Sequence, residues 1–169
     1  TVTKSPRGQN YDHNATDAAD NITSLAIVQA WPRATWGSLK ARALYQAQRL
    51  KDWEEQAPDE FMLVYTRDDL RRLLDRRAQG EYVVGGMIGT EGSHALDGEL
   101  SAIDELVSVG FRLMSLQHFF DNKLGGSLHG ASQAGLTEFG REAVSRMMEL
   151  GVIIDLSHSS EKVVQDVLS

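Results

Sequence analysis

Apolar and polar positions alternate along this chain with a period that changes from segment to segment. From Trp36 to Gln56, Leu39, Ala43, Leu44, Ala47 and Leu50 fall on one stripe. That spacing predicts a long amphipathic helix, stopped by Ala57-Pro58-Asp59. Thr66 followed by Asp69 has the form of a helix cap with an acidic first turn, opening a helix to about Gln79 that Gly80 can end. Leu100–Val109 and Thr137–Leu150 read as further helices, each closed by a glycine, and Ser159–Leu168 starts another. Between them lie short apolar runs of strand length: Tyr82–Gly89, Phe111–Leu116 and Val152–Leu156. Phe61–Tyr65 reads as a brief extended segment and Leu25–Ala30 as a short strand. Residues 1–24, rich in Asp, Asn, Thr and Gly, show no period and read as irregular.

Two junctions share one pattern of helix, glycine and apolar strand: Val109-Gly110-Phe111 and Leu150-Gly151-Val152. Apolar strands alternating with amphipathic helices imply an α/β domain, a parallel sheet covered by helices. Periodicity alone leaves open sheet and closed barrel as alternatives.

Composition narrows the chemistry. The 169 residues are 41% hydrophobic and 24% charged, which suits one globular domain. The net charge of -7 and the absence of a basic face argue against nucleic acid as a partner. Arg67, Arg71, Arg72, Arg76 and Arg77 are interleaved with Asp68, Asp69 and Asp75, the pattern of a solvated helix face. With no cysteine, disulfides and thiolate ligands are excluded, and any metal falls to His, Asp and Glu. No apolar run approaches the roughly 20 residues of a membrane span. Thr1–Asn10 lacks the apolar core of a signal peptide, so the compartment stays open between the cytoplasm and export.

Polar residues follow each of the three clear strands: Thr90-Glu91-Gly92-Ser93-His94, then Gln117-His118, then Asp155-Leu156-Ser157-His158. In parallel α/β folds sites form at the C-terminal ends of strands. Glu91, His118 and His158 are therefore expected at one mouth. Singly, each has a plain structural reading: a helix-start carboxylate, a core histidine, and a histidine bonded to Asp155. Their repeated placement is what singles them out. His94 is expected to support the site without touching a metal. His129, within the Gly-rich stretch Gly125–Gly135, reads as part of a mobile loop, and His13, beside Asp12 and Asp17, as part of a polar segment.

Four segments, in order, resemble a known family. Thr90-Glu91-Gly92-Ser93-His94 is similar to a Glu-Gly-Gly-His segment, and Leu113-Met114-Ser115-Leu116-Gln117-His118 to Tyr-Leu-Thr-Leu-Thr-His. Gly135-Leu136-Thr137-Glu138-Phe139-Gly140-Arg141 is similar to Gly-Leu-Thr-Pro-Phe-Gly-Arg. Gly151-Val152-Ile153-Ile154-Asp155-Leu156-Ser157-His158 is similar to Gly-Val-Leu-Ile-Asp-Leu-Ala-His. Together they resemble the renal (membrane) dipeptidase family of zinc metallodipeptidases, peptidase family M19. The resemblance implies a (β/α)8 TIM-type barrel of the metal-dependent hydrolase kind, two zinc ions and a dipeptide substrate. It implies that Glu91 bridges the metals, that His158 binds one of them, and that His118 is catalytic and contacts the substrate carbonyl. Asp155 and His94 would orient those groups from behind. A homodimer is an assembly the family allows.

Some family parts have no counterpart here. No histidine is followed two residues later by aspartate, as the family's first metal site requires. A further ligand histidine, an arginine and an acidic residue would fall after Ser169. Since such a barrel takes about 250 residues, residues 1–169 are expected to be one partial barrel domain of a longer enzyme. Alone they would bind zinc weakly and hydrolyse nothing. The alternatives are another metal-dependent amide hydrolase, of acylamino-acid type, and a non-catalytic barrel fragment.

Overall fold

The computed structural model describes residues 21–169, so the reading of His13 and of residues 1–20 lies outside the described residues. The first element, α1 (Asn21–Val28), is a helix. This corrects the expected strand at Leu25–Ala30 and the irregular reading of residues 21–24. The six-residue apolar run carries no period of its own, and tertiary contacts decide it. Ala26 is buried while Leu25, Ile27 and Val28 face outward. Thr23 ties the helix down, donating to Trp36 O at 2.6 Å and accepting from the Arg42 guanidinium at 2.8 Å.

Helix α2 (Leu39–Gln56) follows a 3-10 turn at Arg33–Thr35 and starts where Ser38 accepts a hydrogen bond from Ala41 N. Its buried stripe contains Ala43 and Ala47, as the pattern predicts, and also Arg42, whose guanidinium is satisfied by Thr35 O and Trp36 O. Strand β1 (Phe61–Leu63) leads to α3 (Arg67–Ala78), which opens with a reciprocal capping box between Thr66 and Asp69. The arginines of α3 pair with neighbours, Arg71 with Asp68, Arg72 with Asp69 and Arg76 with Glu81, which is the solvated face expected.

The apolar run 82–89 is two strands rather than one: β2 (Val84–Gly86) and β3 (Ile88–Thr90), separated by Met87. β2 pairs in parallel with β1, and β3 pairs in parallel with β4 (Phe111–Ser115). One stretch of chain thus serves two neighbours in turn. A bulge between Ile88 and Gly89 places Arg112 between paired residues. Its guanidinium donates to Tyr65 O, Val107 O and Phe111 O, joining the end of the β1 segment to β4. β4 pairs in parallel with β5 (Ile153–Asp155).

Parallel neighbours need crossovers. α3 links β1 to β2, α4 (Ser101–Ser108) links β3 to β4, and α5 (Glu138–Glu149) lies between β4 and β5, before the closing α6 (Glu161–Leu168). Both junction glycines hold positive φ, +107° at Gly110 and +69° at Gly151, so each helix ends in a left-handed turn into the next strand. The main core joins α2, α4 and α5 to the strands through Ile88, Ile103, Leu106, Met114, Leu116 and Met147. A smaller cluster of Met62, Val64, Leu73 and Val83 seats α3. Among the described residues the strands form two parallel sheets, β1-β2 and β3-β4-β5, each in chain order, and no helix is long and apolar enough to cross a membrane.

Candidate metal centre

Each sheet strand from β3 to β5 delivers one functional side chain just beyond its C-terminal end. Glu91 follows Thr90, the last residue of β3. Its backbone is fastened to the end of β4: Ser115 Oγ accepts from Gly92 N, Ser93 Oγ donates to Ser115 O at 2.7 Å, and Ser93 N donates to Leu116 O at 3.3 Å. Gly92 sits at φ +82°, and a Cβ there would lie 3.0 Å from both His118 Cβ and His94 Cδ2. The glycine therefore lets the Glu91 turn close against His118.

His118 follows β4 and is 7% exposed. Its Nε2 lies 3.6 Å from Glu91 Oε2. His158 follows β5, and its Nε2 lies 3.3 Å from the other carboxylate oxygen, Glu91 Oε1. The two imidazoles stand edge to face, 4.7 Å between centroids at 80°. Among the described residues, Glu91, His118 and His158 bring one ligand-type atom each within 4.8 Å of one another. The convergence expected from the strand pattern is thus present. Nitrogen and carboxylate oxygen donors at this spacing suit a zinc-like divalent ion, so the residues fit such a metal.

Burial holds the His118 pKa below the usual histidine value; Glu91 opposes this, while His158 and His129 add to it. His118 is therefore neutral near pH 7. Its Nδ1 is buried with no hydrogen-bond partner among the described residues. A buried N–H without an acceptor is costly, so the proton belongs on Nε2, pointing toward Glu91. The tautomer makes His118 a hydrogen-bond donor into the site.

Asp155 accepts from Ser157 N at 2.9 Å, which shapes the turn leading to His158; its hydrogen bond goes to that backbone and not to the imidazole. His158 itself lies at φ +65°. His94, in the 3-10 turn Ser93–Leu96, packs against Phe120 with ring centroids 5.1 Å apart, and its Nε2 is buried without a hydrogen-bond partner among the described residues. Burial, helped by His118, pushes its pKa down to about 4.

Two features were not legible beforehand. His129 faces the site, its ring 5.5 Å from His158 and 5.7 Å from Phe119. Phe119 in turn packs 4.0 Å from His118 and 5.6 Å from His158. The Gly-rich stretch that carries His129, expected to be mobile, is laced by hydrogen bonds from Asp121, Ser127 and Gln133. The available signal was the pairing of Asp121 with the small residues Ser127, Gly130 and Ser132. Such residues let a loop fold onto a carboxylate.

Comparison with known proteins places the chain in a family. The family model described as membrane dipeptidase (peptidase family M19) matches residues 12–169. A crystal structure of a dipeptidase, a metallo peptidase of family M19, is 28% identical with a TM-score of 0.65, over 76% of this chain and 37% of that one. The metallo peptidase from Rhodobacter sphaeroides, liganded with a phosphinate mimic of the dipeptide L-Ala-D-Ala, gives the same identity, TM-score and coverage. An amidohydrolase from Pseudomonas aeruginosa, 23% identical with a TM-score of 0.64 over 72% of this chain and 36% of that one, shares the fold. The chain spans 36–37% of the length of these structures.

Proposed function

This chain belongs to the membrane dipeptidase family, peptidase family M19, and from that premise we propose that it forms part of a zinc-dependent dipeptidase on a (β/α)8 barrel. The observation that carries the reading is the Glu91 carboxylate, which turns one oxygen toward His158 and the other toward His118. Within each of the two sheets, β1-β2 and β3-β4-β5, the strands are parallel and in chain order, which supports segments of a barrel. Residues 1–169 supply the β3–β5 side of the centre, and the rest of a longer enzyme supplies further ligands.

In this reading Glu91 and His158 would hold the metal. Zinc, when bound, supplies a water acidic enough to act as a nucleophile at neutral pH, with a pKa of about 7. His118 donates its Nε2 proton in a hydrogen bond to the carbonyl oxygen of the scissile peptide, and that bond strengthens as the oxygen becomes negative. Asp155 fixes the turn that presents His158. His94 and His118 both pack against Gly92, in the turn that carries Glu91.

The dipeptide as substrate is supported by the phosphinate dipeptide mimic bound to the Rhodobacter relative. The test is hydrolysis by the full-length protein loaded with zinc, offered a dipeptide panel beside N-acyl amino acids. Chelator-sensitive cleavage of dipeptides is expected. Cleavage of N-acyl amino acids alone would overturn the dipeptidase reading.

A further inference from the structure

The segment between β4 and α5 takes hold of both histidines by their backbones. Ser127 Oγ donates to His118 O at 2.5 Å, and Leu128 N donates to His158 O at 2.7 Å. Ser127 also forms a bridge with Ser159. His158 is in the left-handed region, which a non-glycine residue occupies when its surroundings hold it there. The Leu128 N–H on its carbonyl is one such hold.

Asp121 organises the segment. It is 3% exposed, and its two oxygens accept from Ser127 N at 2.7 Å and Ser132 N at 2.9 Å. Gly130 passes so close that a Cβ there would lie 1.8 Å from Asp121 Oδ1. The Gln133 amide donates to the carbonyls of Ser127, Leu128 and Gly130. Ser160, at the start of α6, closes the far side, donating from N to Gly126 O and from Oγ to Ala134 O. A buried carboxylate thus shapes a loop whose two contacts reach the two histidines flanking Glu91.

We propose that Asp121 and Ser127 are positioning residues, forming a clamp that sets His118 and His158 across Glu91, with Asp121 tuning metal affinity through the loop that holds His158 and Ser127 tuning turnover through His118. The inference rests on the metal-centre reading above. Neither residue touches the reacting atoms. Their effect passes through the backbones of residues that do. Groups that orient metal ligands in this indirect way typically change affinity by about 10- to 100-fold when removed.

The experiment measures zinc affinity of the full-length protein, by competition with a chromophoric chelator, for wild type, Ser127→Ala, Asp121→Asn and Thr66→Ala. Amide exchange at Leu128 is followed in the metal-free state. Ser127→Ala deletes one hydroxyl and is the variant most certain to fold. Asp121→Asn keeps one carbonyl acceptor. Asp121→Asn should weaken zinc binding about 10-fold or more and speed exchange at Leu128, whereas Ser127→Ala, whose hydroxyl reaches the His118 carbonyl, should keep zinc affinity within about twofold and lower dipeptide turnover at saturating zinc. Thr66→Ala, which uncaps the distant α3, should leave affinity within about twofold despite its lower stability. Wild-type affinity in Asp121→Asn would overturn the clamp whether or not Leu128 exchange changes, and so would wild-type turnover in Ser127→Ala. An equal loss in Thr66→Ala would overturn it too, because the effect would then be general destabilisation. A wild-type protein that binds no zinc would instead overturn the metal-centre reading itself.

Discussion

Replacing His118 by alanine separates catalysis from metal binding. The Nε2 of His118 stands 3.6 Å from Glu91, beyond a normal hydrogen bond, and the Glu91 side chain is 61% exposed. Water can therefore take over the lost contact, and the carboxylate keeps its charge for the metal. With His118 absent, no imidazole N–H meets the developing negative charge on the substrate oxygen. Loss of one such donor costs roughly 3–4 kcal/mol, about 100- to 1,000-fold in turnover. The ring also packs against Phe119, so stability should fall by about 1–3 kcal/mol, and assays belong well below the melting temperature. His118→Gln restores an N–H donor near the same place and should recover about tenfold over alanine. The assay is steady-state dipeptide hydrolysis beside metal analysis of the same samples. Zinc content should match wild type in both variants. Loss of zinc in proportion to loss of turnover would refute the tautomer reasoning and make His118 a ligand.

Three further outcomes are expected. Glu91→Gln should abolish dipeptide turnover and lower bound metal, since an amide cannot bridge two dications with a full negative charge; metal analysis that found full occupancy would count against the bridging role. His94 has a folded pKa of about 4 against an ordinary 6.5, so the folded state resists its protonation and stability contributed by the neutral ring is lost as pH falls through that window. The loss approaches about 3 kcal/mol by pH 4, and denaturant titrations of metal-free His94→Gln should show a shallower decline than wild type between pH 6.5 and 4. Thr66→Ala removes the capping box of α3 and should cost about 1 kcal/mol in the same titrations.

The parts of the fold visible in the sequence are those governed by local rules. Thr66, Thr137 and Ser160 all cap helices where a side-chain oxygen precedes a periodic run, whereas the helix expected from Trp36 starts only after its cap at Ser38. Gly110 and Gly151 mark where helices turn into strands. Glu91, His118 and His158 were found because position after a strand is a property of chain order, and parallel topology turns that order into proximity. What stayed hidden depends on distant contacts. The run Leu25–Ala30 suits either strand or helix, and Thr23, Trp36 and Arg42 decide between them. The break at Met87 comes from two different pairing partners, β1 and β4. The order of residues 121–136 comes from a buried carboxylate and backbone groups, and so glycine content misled the reading of His129. The tautomer of His118 depends on the absence of an acceptor near Nδ1, which no spacing rule encodes.

Anomalous scattering from crystals of the full-length protein grown with zinc tests the central claim most directly. The account predicts a zinc peak within about 2.2 Å of a Glu91 carboxylate oxygen and of His158 Nε2, with His118 Nε2 outside ligand distance of any ion. A zinc ion bound by His118, or zinc found only at positions remote from Glu91, would contradict it.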